Sequence, residues 1–138
     1  MTNWDDIEAK LHSAKSSVDD LNKMLFAEAF GWSYPLVGAA YHHFDELTRQ
    51  HGKTDFTGDA EAAFVLARRV LEKARFRIDV REDNSAEASM SGDDYDDWNP
   101  GYYDVTKTAP SLALAICACT VEIMKQMSQN AAAKDLIG

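Results

Sequence analysis

The sequence predicts an all-α fold, in which residues 1–138 form a single domain and a bundle of four main helices. A long, acidic and irregular connection at 79–110 is expected before the last helix. Three observations support this prediction. Apolar residues recur at helical spacing in four stretches, the chain has the length of one domain, and hydrophobic residues make up 46% of it, which is enough for a core.

The first helix is predicted from about residue 3 to about residue 30, where apolar residues recur at alternating spacings of three and four. Polar residues fall between them, and Gly31 ends the helix. The apolar positions are Trp4, Ile7, Leu11, Ala14, Val18, Leu21 and Leu25. A seam of this kind packs against other helices of a bundle or against a second copy of itself. A homodimer through helix one is therefore an alternative use of this face.

Three further helices are predicted from their start signals and apolar faces. The second follows Ser33 and Pro35, and Gly52 closes it. The third opens at 57–59 (TGD), and the last opens at 108–111 (TAPS) and runs through Met127. The first half of the last helix is apolar all round, which predicts that it is the central and most buried one.

The stretch between the third and last helices gives no helical period. Residues 75–80 (RFRIDV) alternate and could form a short strand, but a lone strand has no evident partner. Residues 82–90 (EDNSAEASM) could instead extend the third helix. A structureless connection of this length is unusual in a compact domain, so we expect it to be functional, disordered or an overlooked element of structure.

The negative charge is concentrated in this same stretch. The whole chain carries a net charge of −9, and the residues from Asp79 to Asp104 carry −8, with nine acids against one base, Arg81. Phosphate contact needs a basic face, so this balance argues against direct binding to nucleic acid. A basic protein partner fits it better.

The segment at 91–105 (SGDDYDDWNPGYYDV) combines acids with aromatic residues. An EF-hand does not fit, because a loop that starts at Asp94 has Trp98 at its fifth position and Asn99 at its sixth, and one that starts at Asp93 has Tyr95 at its third. Exposed carboxylates steer a basic partner, and aromatic side chains anchor interfaces. The alternative is a solvated loop whose aromatic residues fold back onto the bundle. The candidate partner-binding residues are Asp93, Asp94, Tyr95, Asp96, Asp97, Trp98, Tyr102 and Tyr103.

A metal site is the rival hypothesis. Glu8 and His12 are four residues apart on helix one, and His42 and Glu46 have the same spacing on helix two. Two such pairs on neighbouring helices could hold a divalent metal. Di-iron bundles, however, use Glu-x-x-His at a spacing of three together with further glutamates, and that pattern is absent from the sequence. No cofactor is expected in the leading interpretation.

The remaining features favour a cytoplasmic protein that is not an enzyme. The start, MTNWDDIEAK, is acidic where a signal peptide is basic and apolar. The longest apolar run, at 112–119, is far shorter than a membrane span, so no membrane association is expected. Cys117 and Cys119 lie within that run and are expected to be free and buried. No phosphate loop, dinucleotide fingerprint or nucleophile elbow is present.

Two stretches resemble the YjaG-type family of small all-α bacterial proteins of unknown function. One is AEAFGWSYPLVGAAYHHF at 27–44, and the other is DDYDDW at 93–98 followed by APSLALAICACTVEIM at 109–124. The resemblance implies an all-α fold and carries no site residues. By analogy with small helical immunity proteins encoded beside bacterial toxins, we expect an antidote-type inhibitor. Its acidic-aromatic surface would dock on a toxin or a nucleic-acid-binding enzyme.

Overall fold

The computed structural model of the chain describes residues 3–51, 54–96 and 99–137, with side chains described except at 50–51, 94–96, 99–100 and 130–137. This part of the chain forms five helices and a three-stranded antiparallel sheet, so the prediction of an all-α, four-helix bundle is wrong. The elements in order are α1 (Trp4–Ser13), α2 (Asp19–Phe30), α3 (Ala39–His51), α4 (Ala60–Val70), β1 (Arg75–Val80), β2 (Ala86–Asp96), β3 (Asn99–Ala109) and α5 (Leu112–Ile137).

The predicted first helix is divided into α1 and α2. The side chain of Asn3 caps α1 by accepting a hydrogen bond from the N–H of Asp6 at 3.1 Å, and the helix ends at Ser13. The chain is extended at Ala14 and again at Val18, where α2 begins. Gly31 ends α2 in the left-handed conformation, as its position in the sequence predicts.

A polar contact with the turn before α4 accompanies this break. The N–H of Val18, the residue before α2, donates to Oγ1 of Thr57 at 2.8 Å, and α2 has no side-chain cap of its own. Thr57 in turn donates to Oδ1 of Asn22 through its backbone N–H and its hydroxyl. The carboxylate of Asp55 accepts from Asn22 and from Ser17. The network holds the start of α2 against the turn at 54–59.

The sheet occupies most of the stretch that was expected to be an irregular connection. β1 pairs with β2 from Arg75↔Ser91 to Val80↔Ala86. β2 pairs with β3 from Ala86↔Ala109 to Asp96↔Asn99. The alternating residues at 75–80 therefore form a strand and do have a partner. Residues 86–90 do not extend the third helix.

The two faces of the sheet differ sharply in composition. The inner face packs against α5, and its buried residues are small or apolar ones at alternate positions of β2 and β3: Ala86, Ala88, Met90, Gly92, Tyr103 and Val105. Half-buried Lys107 and Ala109 continue this face at the end of β3. The outer face carries the intervening residues, which are polar apart from one tyrosine: Glu87, Ser89, Ser91, Asp93, Tyr102, Asp104, Thr106 and Thr108. This period of two is that of a sheet with one covered face.

Helix α5 forms the centre of the core, as its apolar sequence predicts. It contacts α4, β2, β3 and α1, which explains why its first half is apolar on every side. Its fully buried residues include Leu114, Ile116, Val121 and Ile123. None of the helices in the described part of the chain combines the length and the apolar character that a membrane crossing requires.

Candidate functional site

The acidic-aromatic segment belongs to the far end of the β2–β3 hairpin. The pairing of β1 with β2 stops at Arg75↔Ser91, whereas β2 and β3 remain paired as far as Asp96↔Asn99. Residues 92–96 and 99–103 are therefore two-stranded, and we call them the hairpin arm. The acids that dominate the charge of the chain lie on this arm and on the strands next to it.

Asp93 and Tyr102 face each other across the arm. They are paired in the ladder, so their side chains lie on the same face, which is the outer one. The side chain of Asp93 is exposed and 66% of Tyr102 is accessible to solvent. One step closer to the core, Asp104 pairs with Ser91 and is exposed on the same face. The outer face of the arm thus presents an aromatic ring between carboxylates.

Tyr103 points to the opposite side. Only 5% of this residue is exposed, and it packs in the core on the inner face of the sheet. Its hydroxyl and ring lie over Gly101, where an added Cβ atom would come within 3.1 Å of Oη of Tyr103. Tyr103 was named as a partner-binding residue together with Tyr102, as an aromatic residue of the acidic segment, but the alternation of the strand separates the two rings.

The other predicted partner-binding residues are placed by their backbone or lie outside the described residues. Asp94, Tyr95 and Asp96 belong to β2, where they pair with Gly101, Pro100 and Asn99. The Asn-Pro-Gly triplet at 99–101 consequently forms the start of β3. Asp97 and Trp98 lie outside the described residues.

A cleft of about 490 Å³ adjoins the arm. Its lining includes Asp93 and Tyr102 from the arm, and Glu72, Lys73 and Arg75 from the connection that leads into β1. Gly92, which is buried against Leu71, also lines it. The cleft therefore brings an acidic and aromatic pair from the arm together with charges of both signs.

The four residues of the metal hypothesis are not brought together. α1, which carries Glu8 and His12, packs against α5 and α2, whereas α3, which carries His42 and Glu46, packs against α2. Oε1 of Glu8 lies 3.0 Å from Nζ of Lys125 on α5 in an ion pair, although the alignment is not that of a normal hydrogen bond. This contact with Glu8 raises the pKa of Lys125. Among the described residues, no three His, Cys, Asp or Glu side chains are grouped so as to hold a metal ion.

The two cysteines are free and buried in the core. The thiol of Cys117 donates to the carbonyl oxygen of Phe56 at 3.0 Å, and that of Cys119 donates to the carbonyl oxygen of Ala88 at 3.1 Å. Burial raises the pKa of Cys119 to about 11 and raises the pKa of Cys117 as well. Neither environment generates the thiolate that nucleophilic catalysis requires.

A second exposed surface was not anticipated from the sequence. The segment between α2 and α3, continuing into α3, exposes four large hydrophobic side chains: Trp32, Tyr34, Val37 and Tyr41. The indole N–H of Trp32 donates to Nδ1 of His43 at 3.2 Å, and His43 in turn packs edge-on against Phe26 and Phe30. The sequence signal for this surface was the high density of aromatic residues at 30–44. We interpreted those residues as the start of a helix and as its inner face.

No protein-family model, curated protein or solved structure matches this chain. The likeness of residues 27–44, 93–98 and 109–124 to the YjaG-type family therefore stays a prediction. Any functional argument has to begin from the geometry of the chain itself. The most distinctive surface feature in that geometry is the outer face of the hairpin arm.

Proposed function

We propose that this chain is a non-enzymatic, cytoplasmic binding protein whose hairpin arm docks on a basic partner protein. In the most specific form of the proposal, the chain is an immunity or antidote-type inhibitor. The arm would cover the basic active site of a toxin or of a nucleic-acid-binding enzyme. Tyr102 is the anchor on the outer face, and Asp93, Asp94, Asp96 and Asp97 provide the charge that steers association.

The observation that carries the proposal is the pairing of Asp93 with Tyr102 on the outer face. A large aromatic side chain that is 66% exposed, beside carboxylates on a paired strand, is well suited to an interface. The ladder holds both residues in place before binding, so little conformational entropy is lost at this position. A solvated loop with its aromatic residues turned inward would not leave Tyr102 in this position.

The adjoining cleft suggests how a basic side chain would be recognised. An arginine or lysine of the partner that approaches the arm meets the carboxylate of Asp93 and the ring of Tyr102 together. A guanidinium can pair with the former and stack on the latter. Glu72, Lys73 and Arg75 also line the cleft, so its remaining charge is mixed.

The test measures association with the product of the neighbouring gene, the partner expected for an antidote. Asp93, Asp94, Asp96 and Asp97 are replaced together by asparagine. We expect the association rate at low salt to fall about tenfold and its dependence on ionic strength to flatten, because the steering charge is removed. Tyr102→Ala is expected to act mainly on the dissociation rate, since an anchor holds the complex after encounter.

A matched control changes the same charge elsewhere on the surface. Four exposed acids that lie away from the arm, Asp5, Asp19, Asp20 and Glu82, are replaced by their amides. This control should leave association nearly unchanged, since steering depends on where the charges lie. The proposal is wrong if the arm variant binds as fast as the unchanged chain. It is also wrong if the unchanged chain does not bind the product of the neighbouring gene.

A further inference from the structure

Strand β1 is an open edge of the sheet. The strand order is β1-β2-β3, so β1 has a partner on one side only within the described residues. All of its residues are exposed except Phe76, which is half-buried. Edge strands of this kind pair readily with another strand, because a row of backbone N–H and C=O groups is left unpaired.

The direction of these backbone groups follows from the ladder. The N–H of Arg81 donates to the carbonyl oxygen of Ser85 at 2.8 Å at the turn that joins β1 to β2. Antiparallel pairs alternate between hydrogen-bonded and non-hydrogen-bonded positions. Asp79 and Arg77, two and four residues before Arg81, therefore bond to β2. The N–H and C=O groups of the intervening residues point to the open edge; these residues are Phe76, Ile78 and Val80.

The same three residues form an apolar row on the inner face. They pair with Met90, Ala88 and Ala86, whose side chains are buried under the helices. The helices cover this row less completely toward the turn that joins β1 to β2. Phe64 and Arg68 of α4 lie against the ring of Phe76, whereas 39% of Ile78 and 52% of Val80 remain exposed. Apolar side chains are thus exposed beside unpaired backbone groups.

We propose that β1 pairs antiparallel with β1 of a second copy of this chain, with Ile78 on the two-fold axis. The two sheets then form one continuous six-stranded sheet. In this register the open backbone groups of Ile78 meet those of Ile78 in the second copy, and Phe76 pairs with Val80 in both directions. An aromatic residue opposite a β-branched one is a favourable cross-strand pair.

Charge complementarity favours this register over the two adjacent ones. On the outer face, Arg77 lies opposite Asp79 of the second copy, and the symmetry repeats the pair on the other side of the axis. Moving the axis to Arg77 would place two arginines against each other, and moving it to Asp79 would oppose two aspartates. At the ends of the Ile78-centred register Arg75 approaches Arg81 of the second copy, but Arg81 already lies 3.5 Å from Glu87 in its own chain.

The test is the mass of the full chain in solution, measured by sedimentation equilibrium at protein concentrations up to about 100 μM, where an interface this small should be populated. We expect a reversible dimer. Arg77→Asp and Asp79→Arg should each weaken dimerisation on the order of 100-fold, because each replaces two opposite-charge pairs by two like-charge pairs. The double variant, Arg77→Asp with Asp79→Arg, should restore dimerisation, since it re-creates both pairs with the signs exchanged.

Lys15→Asp is the control, because it makes the same charge change on the exposed connection between α1 and α2. It should dimerise like the unchanged chain, and far-ultraviolet circular dichroism should show that every variant is folded. A chain that is monomeric at all these concentrations overturns the proposal. So does a dimer that the single reversals leave intact, or one that they disrupt and the double variant fails to restore.

Discussion

Oδ1 of Asn22 accepts two hydrogen bonds from Thr57, one from the backbone N–H at 2.9 Å and one from the hydroxyl at 2.8 Å. Both residues are buried, and they lie 35 positions apart in the sequence. Their contact ties the second turn of α2 to the turn that precedes α4. Because the hydroxyl of Thr57 also accepts from the N–H of Val18, the start of α2 depends on it too.

Replacing Asn22 with leucine should therefore lower the free energy of unfolding by about 2 to 4 kcal/mol, because buried donors of Thr57 lose their acceptor. Urea unfolding followed by circular dichroism measures the loss. Thr57→Val removes the hydroxyl but keeps the backbone donor. If the contact is direct, the double variant should lose less stability than the sum of the two single losses. Additive losses would show that the two residues act independently.

This contact also explains why the sequence did not reveal the break between α1 and α2. Ala14 and Val18 keep the helical spacing of the apolar seam, so the periodicity passes through the break without interruption. Ile7, Leu11, Leu21 and Leu25 are buried as a continuous helix would also have them. At the break, the N–H of Val18 donates a tertiary hydrogen bond to the hydroxyl of Thr57, a residue 39 positions away. Local spacing contains no trace of such a bond.

The strands were missed for a different reason. β2 follows the period of two required of a strand, but its inner face is built from Ala86, Ala88 and Gly92 around a single large residue, Met90. Alanine and glycine are poor strand formers, so hydrophobicity alone did not reveal the alternation. The small residues leave room for α5, which contacts β2, and for Leu71, which lies against Gly92. The stretch at 102–108 (YYDVTKT) is rich in strand formers, and it was the signal that could have given β1 its partners.

The candidate site was only partly predictable. The charge count located the acidic segment along the chain, but it could not tell which of its aromatic residues point outward. That depends on the register of β3, which sets Tyr102 on the outer face and Tyr103 in the core. Without a strand, nothing in the sequence distinguishes which of the two tyrosines points outward.

The two tyrosines should therefore respond differently to truncation. Tyr103→Ala removes a buried aromatic ring and should lower the free energy of unfolding by about 3 to 5 kcal/mol. Tyr102→Ala removes an exposed one and should change it by no more than about 0.5 kcal/mol. Thermal or urea unfolding of the two variants compares them directly. Equal losses would mean that the register of β3 differs from the one described here.

Gly92 should be sensitive to any added side chain. A Cβ atom there would lie 3.0 Å from Cδ2 of Leu71 and 3.5 Å from Cα of Ala74. Alanine favours a strand over glycine by about 0.5 to 1 kcal/mol, but overpacking costs about 1 to 3 kcal/mol, so Gly92→Ala should be destabilising by about 1 kcal/mol. Gly92→Val should cost more in a urea unfolding measurement. Ser91→Ala, one position away on the outer face, is the control and should be nearly neutral.

The buried thiols predict a loss of stability at high pH. In the unfolded chain a cysteine has a pKa of about 8.5. Burial raises the pKa of Cys119 to about 11 in the folded chain and raises that of Cys117 in the same direction. The unfolded chain therefore releases protons first. The stabilisation is fully present below pH about 8.5 and is lost as the pH rises through about 11.

The measurement is the free energy of unfolding between pH 8 and 11, which are approximate limits set by the unfolded and folded pKa values of a thiol. The reference is the variant in which Cys117 and Cys119 are both replaced by alanine. The alanine variant also loses packing, so its free energy of unfolding differs at every pH. Tyrosines and lysines also titrate in this range, in both proteins. The quantity to compare is therefore the slope of the free energy of unfolding with pH. The unchanged chain should lose stability more steeply. Parallel slopes would mean that the thiols titrate alike in both states, which burial against Phe56 and Ala88 does not allow.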